Sequence, residues 1–319
     1  MRPRTTRSAA LAVATLTLLG LTGCGSAGGG AEPTRASSAP TPSATATATA
    51  GETPAAPAAD ASAELTALEA EFDARVGVSA LDTGSGATLV HRQEERFGYA
   101  STIKVFAAAA FLHDVPVDQR DEVVTWTAAD VAAVGYTPVT SQYVDGGMSL
   151  VALAEAAVRT SDNLALNLVL DRIGGPAGLD RALEQLGDTT TEVVADEPAL
   201  NTIEPGSTDD TTTAAAFTAD LAALATGDHL AAADRATLLD WMSGNATGDA
   251  LIRAGAPDGW TVADKSGGAG GIRNDVAVVT PPGRDPLVVT ILTERNDPDA
   301  AYDDALVARV ASVVLAELG

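Results

Sequence analysis

Cysteine is almost absent from this chain of 319 residues, which contains only Cys24. A single thiol excludes an internal disulfide and a zinc site built from several thiolates. Histidine is nearly as scarce, and His91, His113 and His229 show no spacing typical of metal ligands. We therefore predict no metal and no other cofactor, and we expect the three histidines to lie at the surface.

Basic side chains are also few. The chain has 19 Lys and Arg against 43 Asp and Glu, which gives a formal net charge of −24. Such a protein repels nucleic acid and anionic lipid headgroups, so neither is expected as a partner. Only two of the basic residues are lysines, Lys104 and Lys265, and each stands in a short motif that contains a serine.

Apolar stretches of the length that spans a membrane are missing, and the nearest approach to one is residues 9–21, which follow Arg2, Arg4 and Arg7. The run is too short to span a bilayer comfortably, and its place after the arginines is typical of an export signal. We therefore predict that residues 1–23 are a signal peptide and that the protein is exported.

The signal ends in Leu-Thr-Gly-Cys, which resembles the bacterial lipoprotein signal and implies that Cys24 is lipidated. An unmodified cysteine is the alternative. Residues 24–60 then consist mainly of Ala, Thr, Pro, Ser and Gly, which cannot bury enough surface to fold. We expect a disordered tether that anchors the protein by its lipid to the outer face of the membrane, or an extracellular protein if the anchor is released.

Regular patterning begins after residue 60. Helical spacing of apolar residues starts at Leu65, and residues 76–81 and 87–90 favour strands. Near the other end, residues 260–263, 276–280 and 287–292 favour strands, and the apolar stripe from Leu306 to Leu318 predicts a closing helix.

These patterns predict an α+β fold over residues 61–319. Residues 61–92 and 249–319 would form an antiparallel sheet that is built from both chain ends and flanked by helices. Residues 93–248, rich in alanine and leucine, would form an all-helical inserted domain. A cleft is expected where the two parts meet.

The first candidate motif joins Ser101 to Lys104. The next eight residues, 105–112, are all apolar, which predicts a buried helix that begins near the serine. Three residues apart on a helix, the two side chains would meet, and apolar surroundings would lower the pKa of Lys104 so that it can accept a proton. Free N–H groups of the first turn could also stabilise an oxyanion. A helix-capping serine followed by a lysine that extends to solvent is the alternative.

Two further motifs follow in order, Ser161-Asp162-Asn163 and Lys265-Ser266-Gly267. Taken singly, the first could be a turn or a helix cap and the second a strand end. With the Ser101 motif, the set resembles that of class A β-lactamases and penicillin-binding proteins, with serine for threonine in the last motif. The resemblance to class A enzymes covers roughly residues 64–318 and includes Tyr136 and the Glu-Pro-x-Leu-Asn sequence of residues 197–201.

The resemblance implies hydrolysis of penicillins and cephalosporins, hence antibiotic resistance, by a monomeric enzyme. Ser101 would be the nucleophile, and the N–H groups of Ser101 and Gly268 would form the oxyanion hole. Ser161 would relay a proton to the leaving nitrogen. Glu197 would activate the water that hydrolyses the acyl-enzyme, and Asn201 would share that water.

The same resemblance implies the groups that bind the substrate. Lys265, Ser266 and Arg273 would hold its carboxylate, beside Gly267. Asn163 would orient the substrate side chain and Lys104, and Tyr136 would flank the site.

The loop before Glu197 departs from the family pattern. Ala195 stands where the family usually has an arginine that pairs with the aspartate at position 210, and Asp196 replaces a tryptophan. Asp210 is therefore expected to lack its partner, and the loop to be looser, with slower or altered deacylation.

Two alternatives remain open. A penicillin-binding D-alanyl-D-alanine carboxypeptidase shares the three motifs, although it normally lacks the sequence that contains Glu197 and Asn201. A lipoprotein that is acylated by β-lactams and deacylates slowly, such as a sensor, is the second.

Overall fold

A computed structural model describes residues 61–297 and 299–319. The predicted signal peptide, Cys24 and the predicted tether lie outside the described residues. Within the described part of the chain, every helix is too short or too polar to cross a bilayer.

The helices of the described chain are α1 (Ser62–Phe72), α2 (Ile103–Asp114), α3 (Ala128–Val134), α4 (Leu150–Arg159), α5 (Asn163–Ile173), α6 (Pro176–Leu186), α7 (Ala214–Thr226), α8 (Ala232–Ser243), α9 (Ile252–Gly255) and α10 (Asp304–Leu318). The strands are β1 (Ala74–Asp82), β2 (Thr88–His91), β3 (Arg96–Gly98), β4 (Val123–Val124), β5 (Met148–Ser149), β6 (Thr211–Thr213), β7 (Thr261–Ala269), β8 (Ile272–Thr280) and β9 (Leu287–Arg295).

Both chain ends contribute to one antiparallel sheet with the strand order β2-β1-β9-β8-β7. Strand β1 pairs with β9 from Ala74 opposite Arg295 to Asp82 opposite Leu287. The predicted α+β fold, with its antiparallel sheet and flanking helices, is thereby confirmed. Strand β7 is longer than predicted, because its pairing with β8 continues through polar residues as far as Ala269.

The sheet is buried on both faces. Val279 and Val289 join the core formed with α1 and α10, whereas Val278 and Val288 join the core formed with the helical part. Successive side chains of a strand point to opposite faces, so β8 and β9 each supply both cores.

Helix α2 lies at the centre of the helical part, and ten of its twelve residues are buried. A helix that is apolar on all sides has to be surrounded by protein. Phe106 of α2 packs on Phe217 of α7, with ring centroids 4.4 Å apart. The predicted buried helix is correct, but it begins at Ile103, and Ser101 lies in the preceding 3₁₀ turn, Ala100–Thr102.

Helix α7 of the predicted insertion packs against the sheet. The Thr218 hydroxyl is 3.0 Å from the Ser79 carbonyl oxygen and 2.9 Å from the Thr290 hydroxyl. The helical part also contains the short strand pairs β3-β6 and β4-β5. The predicted domain limits at residues 93 and 248 stay a prediction, and α7 links the two parts.

Candidate active site

The cleft between β7 and the helical part contains a cavity of about 470 Å³. Ten of the twelve residues predicted for the site line it: Ser101, Tyr136, Ser161, Asn163, Glu197, Asn201, Ser266, Gly267, Gly268 and Arg273. The other two, Lys104 and Lys265, lie behind the wall of the cavity and have no exposed surface. The structure thus brings all twelve residues together.

Ser101 lies on a tight turn. Ala100 immediately before it has a φ of 47°, in the left-handed region that side chains other than glycine rarely adopt. The turn is held because the Thr102 hydroxyl donates to the Tyr99 carbonyl oxygen at 2.6 Å. A strained backbone held by its surroundings is typical of a functional site.

Gly267 permits β7 to approach this turn. A Cβ atom at position 267 would lie 2.9 Å from the Thr102 nitrogen, 3.0 Å from the Tyr99 oxygen and 3.1 Å from the Ser101 nitrogen. All three are backbone atoms, which cannot move aside without distorting the turn. Glycine is therefore needed here, and its place in the predicted motif has a steric reason.

Lys104 makes hydrogen bonds and an ion pair with several groups of the site. Its Nζ donates to Ser101 Oγ at 2.8 Å, to the Ser161 carbonyl oxygen at 2.9 Å and to Asn163 Oδ1 at 2.6 Å. It also lies 2.9 Å from Glu197 Oε1. Burial lowers the pKa of Lys104, while the Glu197 carboxylate opposes that shift.

Glu197 contacts both Lys104 and Ser101, so that the three polar atoms form a small triangle. Its Oε1 lies 3.4 Å from Ser101 Oγ, and its Oε2 accepts a hydrogen bond of 2.6 Å from Asn201 Nδ2. Its side chain is 1% exposed. Two oxygens of one carboxylate thus face the nucleophile and Asn201.

Asn167 holds the backbone of Glu197, a contact that the sequence analysis missed. Its amide accepts from the Glu197 N–H at 2.9 Å and donates to the Glu197 carbonyl oxygen at 2.8 Å. Asn167 lies one turn after Asn163 on α5, so both residues share a face. The spacing of four residues from Asn163 is the feature of the sequence that could have indicated Asn167 as a site residue.

Ser161 and Asn163 are set by the turn between α4 and α5. Asp162 caps α5 through a bond of 3.0 Å from the Ala165 N–H and also accepts from the Thr140 N–H at 2.8 Å. The helix cap considered for this motif is thus real, and it is Asp162 that provides it. Ser161 Oγ lies 3.4 Å from Lys104 Nζ and 3.2 Å from Lys265 Nζ, so it lies between the two lysines.

Lys265 Nζ lies 3.2 Å from Ser161 Oγ and donates to the Ser266 carbonyl oxygen at 2.6 Å. Burial, followed by repulsion from Lys104, lowers the pKa of Lys265 to about 7. A lysine that binds a carboxylate has to be protonated, so Lys265 suits the predicted role best below about pH 7.

Arg273 is held at the far end of the cavity by residues that were not predicted. Its Nε donates to Asp304 Oδ1 at 2.6 Å, and its guanidinium lies 4.8 Å from the centre of the Tyr302 ring. Thr247, which also lines the cavity, lies 2.6 Å from Ser266 Oγ through its own hydroxyl. Asp304 and Tyr302 follow the last strand without a motif to mark them.

Asp210 lacks the arginine partner, as expected, but other groups bind its carboxylate. Its Oδ1 accepts hydrogen bonds from the Tyr99 hydroxyl at 2.6 Å and from the N–H groups of Val194 and Ala195, both at 3.0 Å. The hydroxyl of Tyr99, from the nucleophile segment, and two N–H groups of the loop replace the arginine as donors.

Among the described residues, no group of three or more His, Cys, Asp and Glu side chains could hold a metal ion. His113 and His229 stack on each other, with ring centroids 4.4 Å apart. The expectation of a surface position is wrong for His91, whose side chain is 9% exposed and lies 3.4 Å from Glu69.

Comparisons with known proteins agree with this geometry. The model of the β-lactamase enzyme family matches residues 60–318. A β-lactamase of Bacillus amyloliquefaciens is 51% identical over 252 residues, which cover 79% of this chain and 82% of that protein. A β-lactamase of Amycolatopsis lactamdurans is 46% identical over 84% of this chain and 87% of its own.

Solved structures extend the similarity to the fold. The class A β-lactamase of Clostridium kluyveri superposes with a TM-score of 0.78 at 42% identity, covering 80% of this chain and 97% of that one. The β-lactamase of Streptomyces albus G gives a TM-score of 0.79 at 40% identity, covering 81% and 98%. The chain therefore belongs to the β-lactamase enzyme family and is a class A serine β-lactamase, a hydrolase of β-lactams.

Proposed function

We propose that the chain hydrolyses penicillins and cephalosporins through an acyl-enzyme on Ser101, which a water activated by Glu197 then releases. One observation carries the proposal. Ser101 Oγ lies 2.8 Å from Lys104 Nζ and 3.4 Å from Glu197 Oε1, so one hydroxyl is within reach of two groups that can accept a proton.

In acylation, Ser101 Oγ bonds to the lactam carbonyl carbon and the carbon–nitrogen bond breaks. Lys104 is the nearer proton acceptor, and burial lowers its pKa, which reduces the cost of forming the neutral amine that this step needs. Ser161 Oγ lies within 3.4 Å of Lys104 Nζ, which suits a relay of the proton to the leaving nitrogen. The N–H groups of Ser101 and Gly268 would stabilise the oxyanion.

Substrate binding is assigned to the remaining wall of the cavity. Ser266 and Arg273, which line the cavity, and Lys265, which is buried next to Ser266, would hold the carboxylate of the antibiotic. Asn163 and Tyr136 would border its side chain. Tyr136 is 56% exposed and can cover a ligand from the solvent side.

Deacylation is assigned to Glu197 and Asn201. Asn201 donates to Glu197 Oε2, while its buried Oδ1 has no hydrogen-bond partner among the described residues. A water between the two side chains would donate to both Glu197 and Asn201 Oδ1. Glu197 would take a proton from this water as the water oxygen bonds to the ester carbon. The bond from that carbon to Ser101 Oγ would then break, and the proton would pass from Glu197 to Ser101 Oγ, 3.4 Å away, which restores the hydroxyl.

The first prediction concerns Glu197→Ala. Without the carboxylate, deacylation should slow by roughly 10²- to 10⁴-fold, so that benzylpenicillin accumulates as a covalent adduct of one per molecule. Steady-state hydrolysis of nitrocefin and mass spectrometry of the intact protein measure the two effects.

Glu204→Ala is the matched control, because Glu204 is an exposed glutamate of the same loop. It should hydrolyse nitrocefin at the wild-type rate. Unchanged turnover in Glu197→Ala would refute the role of Glu197. Stable one-to-one labelling of the wild type would favour the sensor instead, and cleavage of a D-alanyl-D-alanine peptide the carboxypeptidase.

The second prediction concerns pH. The pKa of Lys265 is lowered to about 7, so its ammonium is lost as pH rises through that value. The groups that face it are Lys104, Asp264, Asp275 and Arg273. Because the substrate carboxylate needs the charged form, kcat/KM for benzylpenicillin should fall above about pH 7.

Benzylpenicillin methyl ester is the control substrate, because it has no carboxylate to pair with Lys265. Its kcat/KM should not decline over the same pH range. An equal decline for the ester would assign the titration to another group and contradict the role of Lys265.

We also propose that Cys24 is lipidated and anchors the exported protein to the membrane. The Leu-Thr-Gly-Cys sequence after the apolar run supports this proposal. Cys24→Ser, expressed in a bacterium that processes lipoproteins, should move the activity from the membrane fraction to the medium or periplasm. Retention of the variant in the membrane fraction would contradict lipidation.

A further inference from the structure

We propose that Tyr99 is a positioning residue for deacylation, whose buried hydroxyl anchors the loop that carries Glu197. The inference rests on the proposed role of Glu197. In the family pattern an arginine at position 195 pairs with Asp210. Ala195 cannot do so, and we assign that contact to the Tyr99 hydroxyl.

The loop that carries Glu197 is held by hydrogen bonds to Asp210. Its carboxylate is buried, and a single oxygen accepts three hydrogen bonds. Two come from the N–H groups of Val194 and Ala195, which precede Glu197 by three and two residues. The third and shortest comes from the Tyr99 hydroxyl, at 2.6 Å.

Tyr99 belongs to the segment of the nucleophile, two residues before Ser101. Its side chain has no exposed surface, and its ring stacks on Phe217 with centroids 6.2 Å apart. Its own N–H donates to the Asp210 carbonyl oxygen at 3.4 Å. The aromatic ring is thus fixed by packing, and its hydroxyl is directed at Asp210.

The hydroxyl is a permanent donor. Burial, with the nearby Asp210 carboxylate, raises the pKa of Tyr99 well above its ordinary value, so the phenol stays protonated. A buried carboxylate is stable only when donors surround it. Tyr99 supplies the one side-chain donor among the three bonds to Asp210 Oδ1.

These contacts connect the nucleophile to the carboxylate that faces it. The path runs from Ser101 through Tyr99, Asp210 and Ala195 to Glu197. The distance it helps to fix, 3.4 Å between Ser101 Oγ and Glu197 Oε1, is one to which catalysis is sensitive.

Acylation should depend on this path less than deacylation does. Lys104 lies on α2, and Ser161 lies on the turn before α5, so neither is carried by the loop. Asn167 also holds the Glu197 backbone, so loss of the Tyr99 hydroxyl should displace the carboxylate only in part. A selective and moderate loss of deacylation is expected.

Tyr99→Phe removes the hydroxyl and keeps the ring. Acid-quench mass spectrometry with benzylpenicillin should give a deacylation rate constant about tenfold below that of the wild type. The acylation rate constant and kcat/KM should stay within about twofold, so that KM falls with kcat. Hydrogen exchange at the amides of Val194 and Ala195 should become faster.

Tyr99→Phe/Ala195→Arg tests rescue, because a guanidinium at position 195 can supply the donor that Asp210 has lost. The deacylation rate constant should recover to within about threefold of the wild type. Tyr143→Phe is the matched control, since it removes the hydroxyl of an exposed tyrosine that does not line the cavity. It should leave both rate constants unchanged.

Wild-type deacylation in Tyr99→Phe would overturn the inference. Equal losses in acylation and deacylation would also do so, because they indicate a general structural effect. Glu197→Ala, measured in parallel, separates this failure from failure of the proposed function. If Glu197→Ala traps the adduct while Tyr99→Phe behaves as the wild type, only the inference about Tyr99 is wrong.

Discussion

The buried contact of 2.9 Å between Lys104 and Glu197 is the interaction on which the rest of the site depends. Two opposite charges with side-chain exposures of 0% and 1% are costly to bury unless further hydrogen bonds satisfy them. Ser101 and Asn163 supply acceptors for the ammonium, and Asn201 supplies a donor for the carboxylate. The residues that stabilise the pair are therefore also those that surround the nucleophile. The same positions of these side chains satisfy the buried charges and prepare the site for catalysis.

This arrangement requires three separate parts of the fold to meet. Helix α2 presents Lys104 from the centre of the helical part, and the loop before β6 presents Glu197 from the side. Strand β7 closes the cleft, which it can do because Gly267 has no side chain between the strand and the Ser101 turn. The sheet that carries β7 is built from both chain ends, so residues distant in sequence face each other across one cavity.

Much of this could be predicted from the sequence because the motifs have strict chemical requirements. The three ordered motifs contain seven of the twelve site residues. The resemblance to class A β-lactamases implied the other five, which are Tyr136, Glu197, Asn201, Gly268 and Arg273. Tyr302 and Asp304 were missed because their roles arise from tertiary contacts that leave no local pattern. Asn167 was missed although its spacing of one helical turn from Asn163 was a local signal. The replacement donor for Asp210 was missed for a similar reason. The absence of the arginine is visible in the sequence, whereas the donation from Tyr99 depends on how β3 and β6 pair.

The central claim is that one serine, Ser101, is the site of covalent chemistry. Acid quench of the wild type during turnover of benzylpenicillin, followed by tryptic mapping, tests it most directly. Cleavage after Arg96 and Lys104 isolates Ser101 in the peptide 97–104, whereas Ser161 falls in the peptide 160–172. We predict that the peptide 97–104 gains the full mass of the penicillin, at Ser101, and loses it when substrate is exhausted. An adduct on the peptide 160–172, or hydrolysis without any adduct, would contradict the account.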